Sequence, residues 1–268
     1  MPRQLRYQSP GTTCHITVRG NAKQDIYTND AERLMFLECL AGAMQEFDWT
    51  CHAFCLMSNH YHLVLQTREA NLAIGMQHLN GQYAQMFNYR HGRTGHLLQG
   101  RFHSKVVDNE AYFFAVSAYI VLNPVRHGLV DHPDQWQWSS YRKTACGGNM
   151  FTFLDPGFLL SLLGDDIEEA RNIYTEFIEE HIERPRASQR PSSDPVQDLQ
   201  KLSLKLIFYE SDKNRDECIK AAHFVHGYNL REIADHCGIA KATVGHVVKK
   251  RKCRAVIRFE VDGEVDGA

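Results

Sequence analysis

The sequence predicts an α+β protein: a ferredoxin-like antiparallel sheet covered on one face by helices, followed by an all-α helix-turn-helix domain. Three observations predict it. Apolar residues recur with the two-residue period of strands and the three- to four-residue period of helices, in the order β-α-β-β-α-β-α over residues 13–122. The stretch RPRASQRPSSDP at 184–195 has the proline, serine and arginine content of a linker. Beyond it, LREIADHCGIAKATVGHVV sets two short amphipathic runs on either side of a glycine.

Residues 13–20 alternate, with Cys14, Ile16 and Val18 on one side and Thr13, His15 and Thr17 on the other, as in a half-buried strand. Asn29 or Asp30 suits a helix N-cap, and Leu34, Leu37, Ala41 and Met44 form one apolar stripe on a helix over 31–47. Residues 50–57 and 60–66 are β-rich runs around Ser58-Asn59, a pair suited to a hairpin turn. A second amphipathic helix, over 72–89, carries Ile74, Met76, Leu79, Tyr83, Met86 and Phe87 and ends near Arg90-His91-Gly92. The β-leaning stretch HLLQGRFHSKVVD leads to a third helix over 110–122. That helix is expected to stop before Pro124, because proline has no N–H and restricts the residue before it. Residues 155–183 are an acidic helical segment, and 194–209 and 215–225 are expected helices of the last domain. The expected division is residues 1–150 as the main domain, 151–195 as acidic segment and linker, 196–254 as the helix-turn-helix domain and 255–268 as a tail.

A chain with 43% hydrophobic and 23% charged residues can bury a core, which excludes global disorder. No run of about 18 uninterrupted apolar residues is found and MPRQLRYQSPG has no apolar core, so the expected location is cytoplasmic with no membrane partner. The eight cysteines form no C-x-x-C framework, against a zinc ribbon or a thioredoxin-type motif, and ordinary reduced thiols are expected. The net charge of −2 conceals an uneven distribution. Residues 155–200 hold 4 Lys and Arg against 11 Asp and Glu, whereas residues 201–254 hold 12 against 6, a basic balance that suits a nucleic-acid partner.

His60-Tyr61-His62 is the sharpest local feature, because a two-residue step on a strand puts both imidazoles on one face, where they can share a metal ion. Two polar strand residues facing solvent would show the same spacing. Leu63 and Val64 follow directly, however, so the histidines open an otherwise buried strand in which idle imidazoles need partners. In AYIVLNPVRHG, Tyr119 and Asn123 are four apart and lie one above the other on a helix. A core tyrosine with its hydroxyl tied off, and an amide capping the helix end, would fit as well. Tyr112, two turns before Tyr119, is the rival phenol, and Tyr61 should point to the opposite sheet face as core.

Three stretches together, 52–67 (HAFCLMSNHYHLVLQT), 78–105 (HLNGQYAQMFNYRHGRTGHLLQGRFHSK) and 117–142 (SAYIVLNPVRHGLVDHPDQWQWSSYR), resemble the REP-associated tyrosine transposases, a branch of the single-tyrosine HUH transposases. The likeness covers about residues 1–145, and the ordered set H-x-H, L-x-G-R-F, Y-I-x-x-N-P-V-R and W-S-S-Y is far more specific than any member alone. Ser58 departs from the pattern, since the family usually has proline in that turn. The resemblance implies Tyr119 as nucleophile and His60, His62 and Asn123 as ligands of a divalent metal, Mg²⁺ or Mn²⁺. It also implies a covalent 5′-phosphotyrosine intermediate and a free 3′ hydroxyl. Neutral ligands leave a cation its full charge for a phosphodiester under attack, and two nitrogen donors suit Mn²⁺ better than oxygen-preferring Mg²⁺.

Single-stranded or hairpin DNA is the implied partner. Arg93, His96, Arg101, His103 and Lys105 lie in a glycine-interrupted segment able to follow its phosphates, and Arg3 and Arg6 are expected to add contacts. In the last domain, Ile233, Ile239, Val244 and Val247 supply the shared core of a helix-turn-helix, Ala234 the close crossing and Gly238 the turn. Lys241, Thr243 and His246 would face duplex DNA, with Lys249 and Lys250 on phosphates. The expected function is that of a transposase cutting and rejoining strands at REP-like hairpins, as monomer or homodimer. The alternatives are a nickase that processes hairpins without transposition and a catalytically silent DNA-binding regulator.

Overall fold

The computed structural model describes residues 9–148, 150–182, 215–220, 222–223 and 228–249. The chain divides into two compact units, Met1–Leu202 and Ser203–Ala268. In the first, β1 (Thr13–Arg19), α1 (Asp30–Phe47), β2 (Trp49–Leu56), β3 (His60–Thr67), α2 (Leu72–Arg90), β4 (His103–Val106) and α3 (Glu110–Arg126) follow one another in the order the hydropathy pattern predicts. The four strands form one antiparallel sheet in the order β2-β3-β1-β4.

Side-chain alternation decides what each face of this sheet meets. Cys14, Ile16 and Val18 of β1 and Tyr61, Leu63 and Leu65 of β3 share one apolar cluster with Phe36 and Leu40 of α1 and Met76, Leu79 and Tyr83 of α2. Asn29 starts α1 by accepting the Glu32 N–H, and Asn109 starts α3 by accepting the Tyr112 N–H. Gly75 lets α2 lie against Trp49, since a Cβ there would come within 2.2 Å of the indole.

Helices cover both faces of the sheet, not one. α3 lies on the second face, where Phe113 meets His52 of β2 and Tyr119 meets His62 of β3. Its outer side is covered in turn by α6, which follows α4 (Tyr141–Cys146) and α5 (Gly157–Ser161) and spans Ile167–Ile182. There Phe114 packs on Phe177 and Tyr174. Apolar residues nearly all round α3 are therefore consistent with its place between two layers.

α3 also runs on through Pro124 to Arg126, beyond the stop expected before that proline. Near a helix C-terminus proline forfeits a single hydrogen bond, and the Asn123 side chain donates to the Tyr119 carbonyl at 2.9 Å in the same turn. His127 N–H then closes on the Asn123 carbonyl and Leu129 N–H on that of Pro124.

In the second unit, α7 (Arg215–Lys220) precedes α8 (Leu230–Cys237) and α9 (Lys241–Lys249). Asn229 and Glu232 form a reciprocal capping box at the start of α8, and Gly238, at φ 62°, ends it in the left-handed region. Ile233, Ala234, Val244 and Val247 are buried where α8 and α9 pack together. The expected linker and the helix at 194–209 lie outside the described residues.

Candidate active site

Antiparallel pairing of β1 with β3 sets Thr17 opposite His62 and Arg19 opposite His60, while β4 sets His103 opposite Thr17 and Lys105 opposite His15. The face of the sheet under α3 thus carries a block of imidazoles and cations built from three strands. His60 and His62 are both buried, with their rings 5.1 Å apart and nearly perpendicular.

The hairpin tip fixes His60. Asn59 donates its side-chain N–H to the Lys23 carbonyl at 3.1 Å, so its Oδ1 accepts from His60 Nδ1 at 2.7 Å. With the proton on Nδ1, the lone pair lies on Nε2. Burial pushes the His60 pKa down to about 4, with Arg19 and His127 adding to the effect. Burial, then His15 and His60, hold His62 well below the ordinary histidine value. Both rings are accordingly neutral near pH 7, the form that binds metals.

α3 brings the remaining groups. The Tyr119 ring stands edge-on to His62 at 5.8 Å and to His15 at 6.3 Å. His127, two turns further on, has its ring 5.9 Å from that of His60. Asn123 lies midway, one turn from each, so it shares the helix face that looks onto the two histidines. Its Nδ2 is engaged with the Tyr119 carbonyl, which leaves Oδ1 as its acceptor. Two neutral imidazoles engaged through Nδ1 and one amide oxygen form a donor set that fits a divalent cation. Among the described residues no three His, Cys, Asp or Glu are grouped so as to hold a metal ion.

The rival phenol, Tyr112, and the expected core residue, Tyr61, are both buried. Tyr112 is buried with Lys105 Nζ 4.3 Å from its ring centroid, and Tyr61 is in the apolar core, donating its hydroxyl to Asn80 at 2.6 Å. Of the expected DNA contacts, Lys105 borders the site through β4. Arg93 is held by Gln24 at 2.8 Å in the exposed loop after α2, where His96 and Arg101 are also exposed. Lys241, Thr243 and His246 are exposed on α9 in the other unit. Arg3, Arg6 and Lys250 lie outside the described residues, as does the side chain of Lys249.

Four residues of this site were not singled out from sequence. Arg126, whose guanidinium carbon lies 5.2 Å from the Tyr119 ring centroid, and His127 continue the helix face of Tyr119 past Pro124, so ending the helix there hides them. His15 and Thr17 share one face of a strand by simple alternation, but only the β1–β3 register brings them to His62.

Residues 9–123 match the family described as transposase, IS200-like. A candidate REP-associated tyrosine transposase of Haemophilus influenzae is 28% identical over 102 residues, covering 34% of this chain and 58% of that protein, little more than half its length. Among solved structures, a REP-associated tyrosine transposase bound to a REP hairpin gives a TM-score of 0.47 at 21% identity, over 54% of this chain and 85% of that one. The tRNA(His) guanylyltransferase of Saccharomyces cerevisiae gives 0.32 at 10% identity, over 69% and 85%. Residues 9–123 are thus similar to the IS200-like transposase family, and part of the chain is similar to a REP-associated tyrosine transposase.

Proposed function

We propose that the protein cuts and rejoins single-stranded DNA at REP-like hairpin elements, with Tyr119 as nucleophile and with His60, His62 and Asn123 holding a divalent cation, Mg²⁺ or Mn²⁺. The observation that carries this reading is the Tyr119 ring set against His62, with Asn123 one turn further along the same helix face. The substrate class follows the name of the Haemophilus influenzae relative.

In the cleavage step the phenolic oxygen of Tyr119 forms a bond to the scissile phosphorus, and the bond from phosphorus to the 3′ oxygen breaks. The phenol gives up its proton and the departing oxygen takes one, leaving a 3′ hydroxyl and a 5′ phosphate esterified to Tyr119. That ester keeps the energy of the broken bond, so attack by another 3′ hydroxyl rejoins strands without ATP. The cation, when bound, supplies Lewis-acid neutralisation of the charge growing on the phosphate. Arg126 sets a fixed positive charge beside the phenol, and Lys105 and His103 both lie on β4, two strands from His60 and His62, where DNA phosphates would pass.

In the second unit, α9 is read as the recognition helix of a helix-turn-helix for duplex DNA, with exposed Lys241, Thr243 and His246 toward the bases and Lys249 and Lys250 on phosphates.

The test is covalent capture of an end-labelled REP-like hairpin oligonucleotide with Mn²⁺, read on a denaturing gel. Tyr119→Phe abolishes the adduct while hairpin binding stays within a few fold, and Tyr112→Phe keeps it. An adduct that persists in Tyr119→Phe overturns the nucleophile. Transfer of label to a second oligonucleotide separates a transposase from a nickase, and wild-type protein that binds hairpins without an adduct is a silent regulator.

A further inference from the structure

His60 and His62 would present equivalent nitrogens to a cation, yet the groups behind them differ. Behind His60 stands Asn59, whose amide orientation is fixed by Lys23, so the proton on His60 Nδ1 has a defined acceptor. Behind His62 stand two atoms of β1: His15 Nε2 at 3.1 Å and Thr17 Oγ1 at 3.1 Å, both from His62 Nδ1. The hydroxyl also lies 3.5 Å from His15 Nε2, so the three atoms form a triangle.

A neutral imidazole has one N–H and one lone pair, and the two cannot sit on the same nitrogen. For His62 to offer Nε2 to a cation, its proton must rest on Nδ1 and needs an acceptor. A threonine hydroxyl can accept or donate and leaves the choice open, whereas His15 Nε2 accepts whenever the proton of its own ring is on Nδ1. The His15 ring packs against both His62 and Tyr119. It stacks on His62 with centroids 5.4 Å apart and 24° between planes, and it meets the Tyr119 ring edge-on at 6.3 Å.

We infer that His15 is a positioning residue: its Nε2 accepts the Nδ1–H of His62 and holds His62 in the tautomer whose Nε2 lone pair is turned to the cation. The inference rests on the reading of His62 as a metal ligand. Asn59 performs the same office for His60, so each ligand has its own orienting group. That of His62 also touches the nucleophile, which ties the placement of Tyr119 to the tautomer of the ligand.

The experiment uses the full chain, ¹⁵N-labelled, with two variants. His15→Gln keeps a polar atom at about the reach of Nε2, and His15→Leu removes it. Long-range ¹H–¹⁵N correlation of the His62 ring is recorded without metal, and Mn²⁺ affinity is measured by electron paramagnetic resonance. Wild type is expected to show the proton on Nδ1. In His15→Leu that population falls and Mn²⁺ affinity drops by about 10-fold or more, as for lost orienting partners of other metal ligands. His15→Gln returns both to within a few fold of wild type. A residue with a merely structural part would lower the melting temperature and move neither readout. An unchanged His62 tautomer and Mn²⁺ affinity in His15→Leu, or a wild-type His62 with its proton on Nε2, overturns the inference. Wild-type protein that takes up no Mn²⁺ overturns the metal reading instead, while the tautomer in His15→Leu still decides the part played by His15.

Discussion

On the side of the sheet that meets α1 and α2, the residues alternating along β3 are Tyr61, Leu63 and Leu65; on the side that meets α3 they are His60, His62 and Val64. The same strand therefore faces a hydrocarbon interior and a cluster of imidazoles 180° apart. Both sides are buried, but burial has opposite consequences. Removing Leu63 from water stabilises the fold by roughly 2 kcal/mol, whereas removing His62 from water disfavours its charged form and leaves a neutral imidazole. One face holds the fold together, and the other is kept polar at some cost to stability, the pattern expected where chemistry has been built into a core.

The sharpest way to break this division is at Tyr119, where loss of one oxygen is expected to remove all covalent capture. The half-buried phenol makes its contacts through the ring, which phenylalanine keeps, so the urea midpoint should stay within about 0.5 kcal/mol of wild type. A large stability loss in Tyr119→Phe would mean that the polar face also holds the fold. The mirror experiment is Phe36→Ala. Phe36 is fully buried against Tyr61, Tyr83 and Tyr27, and its removal should cost about 3–5 kcal/mol in urea unfolding. Capture per folded molecule should be unchanged.

A smaller effect comes from acid, and it belongs to the polar side alone. The folded-state pKa of His60 is about 4, below the unfolded value near 6.5, and burial lowers those of His62 and His52 as well. Between those values the unfolded chain binds more protons than the folded one, so stability is complete above about pH 6.5 and falls as pH drops toward 4. His60 by itself contributes about 2–3 kcal/mol to that loss. Urea unfolding in EDTA at pH 7.5 and pH 5 checks the sign. His52→Leu should flatten part of the slope, since His52 sits at the bulge of β2 against Phe113 and Phe158 with its ring nitrogen on the Asp155 carbonyl, apart from the site. A slope that steepens would place the titrating groups elsewhere.

The two faces were not equally legible in the sequence. Alternation alone separates Tyr61 from His60 and His62, and a spacing of four puts Asn123 on the face of Tyr119, because these are short-range consequences of strand and helix geometry. The partners of those residues come from elsewhere in the chain. His15 is 47 positions from His62, and no local period says that β1 rather than β2 pairs so as to bring it there. Pro124 misleads in another way: its breaking effect is real in a helix interior but small within a final turn, where Asn123 side-chain bonding and the following N–H groups keep the helix going. The second layer of cover by α3 and α6 is likewise not written in α3 alone, whose apolar residues show that it is buried and not by what.

The smallest effect tests the comparison within two adjacent residues. Ile16 and Thr17 follow each other on β1, the first fully buried toward α1 and α2, the second half-buried with its hydroxyl on His62 Nδ1. Ile16→Val removes one methylene from the apolar side and should cost about 1 kcal/mol in urea unfolding, with Mn²⁺ affinity unaltered. Thr17→Val keeps the branched shape that suits a strand and removes one hydrogen-bonding oxygen. His62 Nδ1 retains His15 as partner, so no buried donor is stranded and stability should change by less than about 1 kcal/mol. Mn²⁺ affinity should fall only a few fold, less than in His15→Leu, because the hydroxyl shares a role that the imidazole can carry alone. If Thr17→Val instead matched the loss in His15→Leu, the hydroxyl would be the true acceptor of the His62 proton. If Ile16→Val changed Mn²⁺ affinity as much as Thr17→Val, the two faces of β1 would be mechanically coupled and the division between them would fail at its closest point.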